Sequence, residues 1–262
     1  MAQVHPSAIV DPRAQLADDV RVGPFCIIGP EVQIGDGTEV QSHVVITGRT
    51  RVGRNNRIFP FCSLGGAPQD KKYAGEATEL VVGDGNTIRE YCFLNTGTAQ
   101  GGGVTRVGSD NWIMAYVHLA HDCQVGDHAV LANAAQFAGH VVIGDWATVG
   151  GLTGAHQFVR IGAHAMVGGG SSLLQDVPPF VLCRGNPAQP SGINVEGLMR
   201  RGFDEASVAA LKRAYRLLYR EGLTLAQARE AMLAEVAPAS AAAQAVSQLA
   251  EFLAVSGRGI IR

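Results

Sequence analysis

Aliphatic residues return at every sixth position through most of the chain, with polar or small residues between them. From the N-terminus the hexads open with Val4, Val10, Leu16, Val22, Ile28, Ile34, Val40, Ile46, Val52, Ile58 and Leu64. After an interruption Val82, Ile88 and Leu94 follow. A second interruption shifts the register by one residue. The series then runs unbroken from Val107 through Ile113, Leu119, Val125, Leu131, Phe137, Ile143, Val149, Ala155, Ile161 and Val167 to Leu173. The residue after each opening one (i+1) is frequently Gly, and i+4 is mostly small or compact. A helix repeats at 3.6 residues and a strand at 2, so neither sustains a period of six. A hexapeptide repeat predicts a parallel β-helix, a mainly-β prism in which short strands wind and each coil buries its neighbour.

The interruptions read as outward loops, one over 67–80 carrying Asp70, Lys71, Lys72 and Tyr73, the other a Gly-rich stretch over 98–106. Loops on a rigid scaffold are where binding residues collect. The GGG run is a weak phosphate-loop signal, because no strand-to-helix context follows it. The prism is expected over 1–186, with GNPAQPSGIN as an irregular bridge into a helical region over 187–262. There Asp204 can cap a helix to about Arg220, with Val208, Leu211, Tyr215, Leu218 and Tyr219 on one side. Thr224 and Gln227 form a capping box for a second helix ended by Pro238, and Ser240 caps a third reaching about Leu253.

Net charge is -2, which gives the whole chain no electrostatic reason to bind nucleic acid. No apolar run is long enough to span a membrane. The opening MAQVHPSAIVDP has neither a basic start nor an apolar stretch, so a cytoplasmic protein is expected. Cys26, Cys62, Cys92 and Cys123 each take an inward i+4 slot, as does Cys183 if a frayed hexad starts at Pro179. With no CxxC spacing, all five read as small buried hydrophobes.

Three hexads make one triangular turn, so residues 18 apart should stack on adjacent coils ~4.8 Å apart. In the unbroken stretch this arithmetic puts His121, Gly139 and Gln157 in one column. Ala120, Ala138 and His156 flank it on one side, and Asp122, His140 and Phe158 on the other. None of the three histidines is at an inward position, so they are expected to face solvent, clustered as a site. His118 and His121 make an HxxH, but they lie on different parts of a coil, which argues against metal ligation. Asp122 beside His121 suits a histidine held for proton transfer. Cys123 points into the prism, away from any substrate.

The stretches QDKKYAGE, GTAQGGG, AHDCQVG, GAHQFVRIGAH, INVEGLMRRGF and the closing GRGIIR are specific beyond the hexads. With them the chain resembles, essentially end to end, the acyl-[acyl-carrier-protein]–UDP-N-acetylglucosamine O-acyltransferases of lipid A synthesis. The resemblance implies a left-handed β-helix, an exception to the right-handed crossover rule, and a homotrimer with active sites between subunits. It implies direct transfer of a 3-hydroxyacyl chain from acyl carrier protein to the glucosamine 3-hydroxyl, with no cofactor or metal. His121 would be the general base, Asp122 its partner, and Gly139 the backbone donor to the oxyanion. Substrate-binding positions would be Asp70, Lys72, His118, His140, His156 and Gln157, with Asn194, Glu196, Arg200 and Arg201 near the nucleotide and phosphates. Gly169 would stand at the far end of the acyl groove and set its length. Lys212, Arg213, Arg216 and Arg220 would offer a basic helix to the acidic carrier. The chain departs from the family at Asn95-Thr96, where relatives commonly have His-Arg. The competing readings are a later-step N-acyltransferase, which would normally carry an added N-terminal domain, and a non-catalytic β-solenoid scaffold.

Overall fold

In the computed structural model, which describes residues 1–262, the hexads form a triangular prism of parallel strands. Three sheets of 11, 9 and 8 strands make its faces, each taking every third strand along the chain until the last two strands of the largest sheet. Opening residues pair coil to coil, for example Val107 with Val125, Ile113 with Leu131 and Leu119 with Phe137. The excursions are looped out without disturbing this stacking, because Val52 pairs with Val82 and Val82 with Val107. Both are shorter than expected. Strand pairing resumes at Glu79 after the first and at Val104 after the second, where Thr105 already fills a buried slot.

The core is a narrow column of Val, Ile and Leu from the opening positions, each worth ~1.5–3 kcal/mol when fully buried. The i+4 slots are inward as expected. At one corner they hold Cys26, Cys62 and Cys92, whose thiols donate to the carbonyls of Gln41, Arg89 and Met114. At another they hold an amide ladder, in which Asn86 Nδ2 donates to Asn56 Oδ1 and Asn111 Nδ2 to Asn86 Oδ1. Cys183 departs from expectation. It pairs with Val167 and so occupies an opening position, not i+4, because the final coil enters through Pro178-Pro179 in a new register.

Residues at i+3 turn the corners in the left-handed backbone region, among them Asp122 (φ 61°), His140 (φ 63°), Phe158 (φ 65°) and His164 (φ 58°). The i+2 N–H takes no part in the backbone ladder there, which is why Pro6, Pro12, Pro24, Pro30 and Pro60 are accommodated at i+2. The expected irregular bridge is instead a hairpin, with Val181–Arg184 pairing antiparallel to Gln189–Ile193.

Four helices follow: α1 (Val195–Arg200), α2 (Glu205–Tyr219), α3 (Leu225–Ala234) and α4 (Ala241–Ala254). The sequence reading missed α1, which at 6 residues is under two turns. The caps Asp204, Thr224 and Ser240 act as expected, and α3 carries both halves of its capping box. It stops at Ala234, ahead of Pro238. Helices α2, α3 and α4 share a second apolar cluster, joined to the prism through Phe180 and Ile260. No helix is long and apolar enough to cross a membrane.

Candidate active site

His121 follows the strand His118–Leu119 and stands at a prism corner beneath the turn Ala99–Gly101 of the second loop. Its solvent-facing placement is corrected here: His121 is 8% exposed and Asp122 3%. The column arithmetic placed both at the corner, but only the folded loop covers them. Asp122 is held on every side. Its N–H donates to Thr105 Oγ1 at 2.8 Å. Its carboxylate accepts from Thr98 N–H at 2.9 Å, from Thr98 Oγ1 at 2.6 Å and from His121 Nδ1 at 2.8 Å. A carboxylate only accepts, so the proton on His121 sits at Nδ1, leaving the Nε2 lone pair free to act as a base.

Gly139 lies against this ring. A Cβ there would stand 2.4 Å from His121 Cε1 and 2.6 Å from Nε2, so any larger residue would displace the imidazole. The Gly139 N–H has no partner within the chain and is available to a substrate oxygen. Gly101 is constrained in the same way, with a Cβ falling 2.1 Å from Asp122 Cγ.

The flanking histidines form walls. His140 stacks on Phe158 at 4.3 Å and meets the His121 ring edge-on at 5.1 Å; its Nε2 is 3.7 Å from Asp122 Oδ2, beyond hydrogen-bond range. Burial holds the His140 and His118 pKa values below the ordinary imidazole value, so both rings are neutral at pH 7. His156 and Gln157 are exposed, and His156 Nδ1 lies 3.2 Å from the Gln157 carbonyl. In the first loop Lys72 N–H donates to Asp70 Oδ1 at 3.0 Å, a local turn that presents both residues together.

Two cavities of different chemistry meet at His121. One, of about 810 Å³, is polar and is lined by Asp70, Lys71, Lys72, Thr98, Gln100 and His140. The other, of about 490 Å³, runs along one prism face over Ala120, Phe137, Ala138, Ala155, Leu173 and Leu174. Gln69, His121 and Gln157 border both. Thr98, Gln100, Gly101 and Gln69 were not singled out from the sequence. The signal for three of them lay in GTAQGGG, where the glycines serve to fit over a carboxylate and not to cradle a phosphate.

Other expected residues lie elsewhere. Asn194 is buried as the cap of α1, accepting from Gly197 N–H and donating to the His164 carbonyl at 3.0 Å. Glu196 and Arg200 are exposed and pair with one another. Arg201 lies over Trp146 at 5.3 Å and beside His164. These belong to the Trp146–His164–Phe180 corner, not to the Asp122–His140–Phe158 corner, and none lines either cavity. Gly169 is exposed and lines neither cavity. On α2, Arg213 pairs with Glu235 and Arg216 with Glu221, leaving Lys212 and Arg220 without a carboxylate partner.

His121, Asp122 and His140 also bring their donor atoms within 4.8 Å of one another. Metal binding there would compete with the three hydrogen bonds that already occupy the Asp122 oxygens. Cys123 is excluded as a nucleophile, since burial pushes its thiol up to about 12 and its Sγ faces the Ala138 carbonyl at 3.3 Å.

A family model described as UDP N-acetylglucosamine O-acyltransferase, domain 2, matches residues 176–261. A bacterial transferase hexapeptide model matches 13–48 and 105–136. The acyl-[acyl-carrier-protein]–UDP-N-acetylglucosamine O-acyltransferase of Thiobacillus denitrificans is 57% identical over the full length of both chains, and that of Verminephrobacter eiseniae 56%. Among solved structures, LpxA from Acinetobacter baumannii superposes with a TM-score of 0.95 at 48% identity, covering 99% of each chain. The UDP-N-acetylglucosamine acyltransferase of Francisella novicida gives 0.94 at 40%, covering 99% of this chain and 94% of that one. On full-length identity above half, with this architecture, the chain belongs to the acyl-[acyl-carrier-protein]–UDP-N-acetylglucosamine O-acyltransferase family.

Proposed function

We propose that this protein transfers a 3-hydroxyacyl chain from acyl carrier protein to the 3-hydroxyl of UDP-N-acetylglucosamine, the first step of lipid A synthesis. The observation that carries the reading is the meeting of a polar cavity and an apolar groove at one imidazole. A sugar nucleotide suits the first and an acyl chain the second. His121 Nε2 takes the proton of the 3-hydroxyl as its oxygen attacks the thioester carbon. Asp122 steadies the imidazolium, and the Gly139 N–H stabilises the oxyanion of the tetrahedral intermediate. Collapse breaks the carbon–sulfur bond, and His121 returns the proton to the departing thiolate of the carrier. No acyl-enzyme and no cofactor is needed.

His118, His140, His156 and Gln157 then border the reacting groups, with Asp70 and Lys72 closing over the sugar. Left-handed winding and a homotrimer with sites between subunits belong to the same reading. The trimer would resolve the separation of two corners, because a neighbouring subunit could supply Glu196, Arg200 and Arg201 to the diphosphate. The bidentate fork of arginine suits that group. Asn194 would act by capping α1, which presents them. Gly169 would limit acyl length at the far end of the groove, and Lys212 and Arg220 would lead the docking of the acidic carrier in the cytoplasm. The prism over 1–186 supplies the site and the region over 187–262 the docking and phosphate groups.

The test is incubation with UDP-N-acetylglucosamine and a panel of acylated carrier proteins, with products identified by mass. A mono-O-acylated nucleotide sugar is expected. Failure to acylate with every donor would refute the proposal.

A further inference from the structure

The first loop has to be held over His121, and two residues outside the cavities do the holding. Asn95 is fully buried. Its Nδ2 donates to the carbonyls of Gly66 (3.2 Å) and Ala67 (2.6 Å), at the root where the loop leaves the prism. Thr96 Oγ1 lies 3.1 Å from Thr78 Oγ1, at the root where the loop returns. The backbone adds two bonds of the same kind, Thr96 N–H to the Gly66 carbonyl and Gly97 N–H to the Glu79 carbonyl, each at 3.1 Å. Both roots are therefore stapled to one short segment. That segment also reaches the site, because Asn95 Oδ1 lies 3.0 Å from His118 Nε2. The two carbonyl partners identify the amide nitrogen of Asn95, so its oxygen is the atom facing His118. An amide oxygen only accepts, so His118 carries its proton on Nε2 and keeps Nδ1 as an acceptor.

We infer that Asn95 and Thr96 are positioning residues: they clamp both ends of the Asp70–Lys72 loop and fix the tautomer of His118, tying the loop to the groove as one unit. Neither touches the reacting atoms. Their effect falls on acceptor binding more than on the chemical step.

Since this rests on the proposed acyl transfer, two readouts are needed. In the first, Thr96→Val removes the hydroxyl and keeps the shape. It should raise the KM for UDP-N-acetylglucosamine roughly tenfold with kcat changed by less than about twofold, as loss of one buried hydrogen bond allows. Thr96→Ser should restore KM. In a Lys72→Ala background, Thr96→Val should add little, because the group it positions is gone. In the second, trypsin cleavage after Lys71 and Lys72 in the native protein should speed up in Thr96→Val and not in Thr96→Ser. Thr78→Val opens the same hydroxyl pair from the other side and should behave alike, which keeps the test available if Thr96→Val does not fold. An unchanged KM and cleavage rate in whichever valine variant folds would overturn the inference. So would full additivity with Lys72→Ala, or a serine variant that fails to restore KM. If the native protein acylates nothing while Thr96→Val still accelerates cleavage, the proposed function fails and the clamp stands.

Discussion

At the scale of single residues the site depends on two features, a proton held at His121 Nδ1 and the empty side of Gly139. His121→Ala is expected to lower kcat by ~10²–10⁴-fold, the usual worth of a general base. Because the ring is buried against Asp122, the variant should also lose ~1–3 kcal/mol of stability from a buried acceptor left short of a donor. Turnover measured beside a denaturant midpoint checks both parts. Gly139→Ala should keep the fold but push the imidazole off its position, lowering kcat ~10²–10³-fold, on the scale of losing one oxyanion donor. A Gly139→Ala enzyme with native kcat would remove this residue from the mechanism. The cluster of His121, Gly139, Gln157, His140 and His156 was legible from stacking arithmetic, since coil-to-coil pairing preserves a fixed spacing. The enclosure of the Asp122 carboxylate that holds His121 was not, because it comes from Thr98 and Gly101 on a loop that obeys no repeat.

At the scale of elements, capping chemistry was legible and short segments were not. Asp204, Thr224 and Ser240 each satisfy an N–H of the first turn through a local side-chain bond that sequence spacing alone defines. Thr224→Ala should destabilise α3 by ~1 kcal/mol, since the Gln227 N–H loses the Thr224 Oγ1 acceptor, while the Thr224 backbone N–H keeps its bond to Gln227 Oε1. Hydrogen exchange should register this as faster exchange of the first α3 amides, with the prism unaffected. Equal exchange in both proteins would show that packing against α2 and α4 holds the end of α3 by itself. Helix α1 escaped notice because six residues with Gly197 among them carry no periodic signal. It is anchored by tertiary contacts, the Asn194 bond to the His164 carbonyl on a distant coil and the burial of Leu198 in the second apolar cluster. The hairpin strand Gln189–Ile193 contains Pro190 and Gly192, and it pairs only because the last coil offers it an edge.

At the scale of the whole molecule, the junction of prism and helices carries a pH response. His164 is stacked between Trp146 and Phe180 and approached by Arg201. Burial first, and the Arg201 charge second, push its pKa down to about 4, from an ordinary value of 6.5. The folded state therefore binds fewer protons than the unfolded chain between those values. Its contribution to stability is complete above about pH 6.5 and is lost as pH falls toward 4. His164→Phe should flatten the fall in Tm between about pH 6.5 and 4, and Phe158 shows that phenylalanine fits a corner of this kind. An identical pH profile in the variant would mean that other groups set the acid response.

The repeat by itself determined the parallel β-helix, the inward slots of Cys26, Cys62, Cys92 and Cys123, and the stacking of the His121–Gly139–Gln157 column. Those follow from a period, and a period acts locally on every coil. Family-specific stretches outside the hexads pointed to the enzyme class. Only the tertiary structure decided which way the loops fold, and hence that Asp122 is enclosed by Thr98, that Asn95 reaches His118, and that a polar and an apolar cavity meet at one ring. It also placed Arg201 at a different corner from His121. The physical reason is the same in each case: these contacts join segments with no common period, and side-chain packing and hydrogen bonding between them exist only once the coils are stacked.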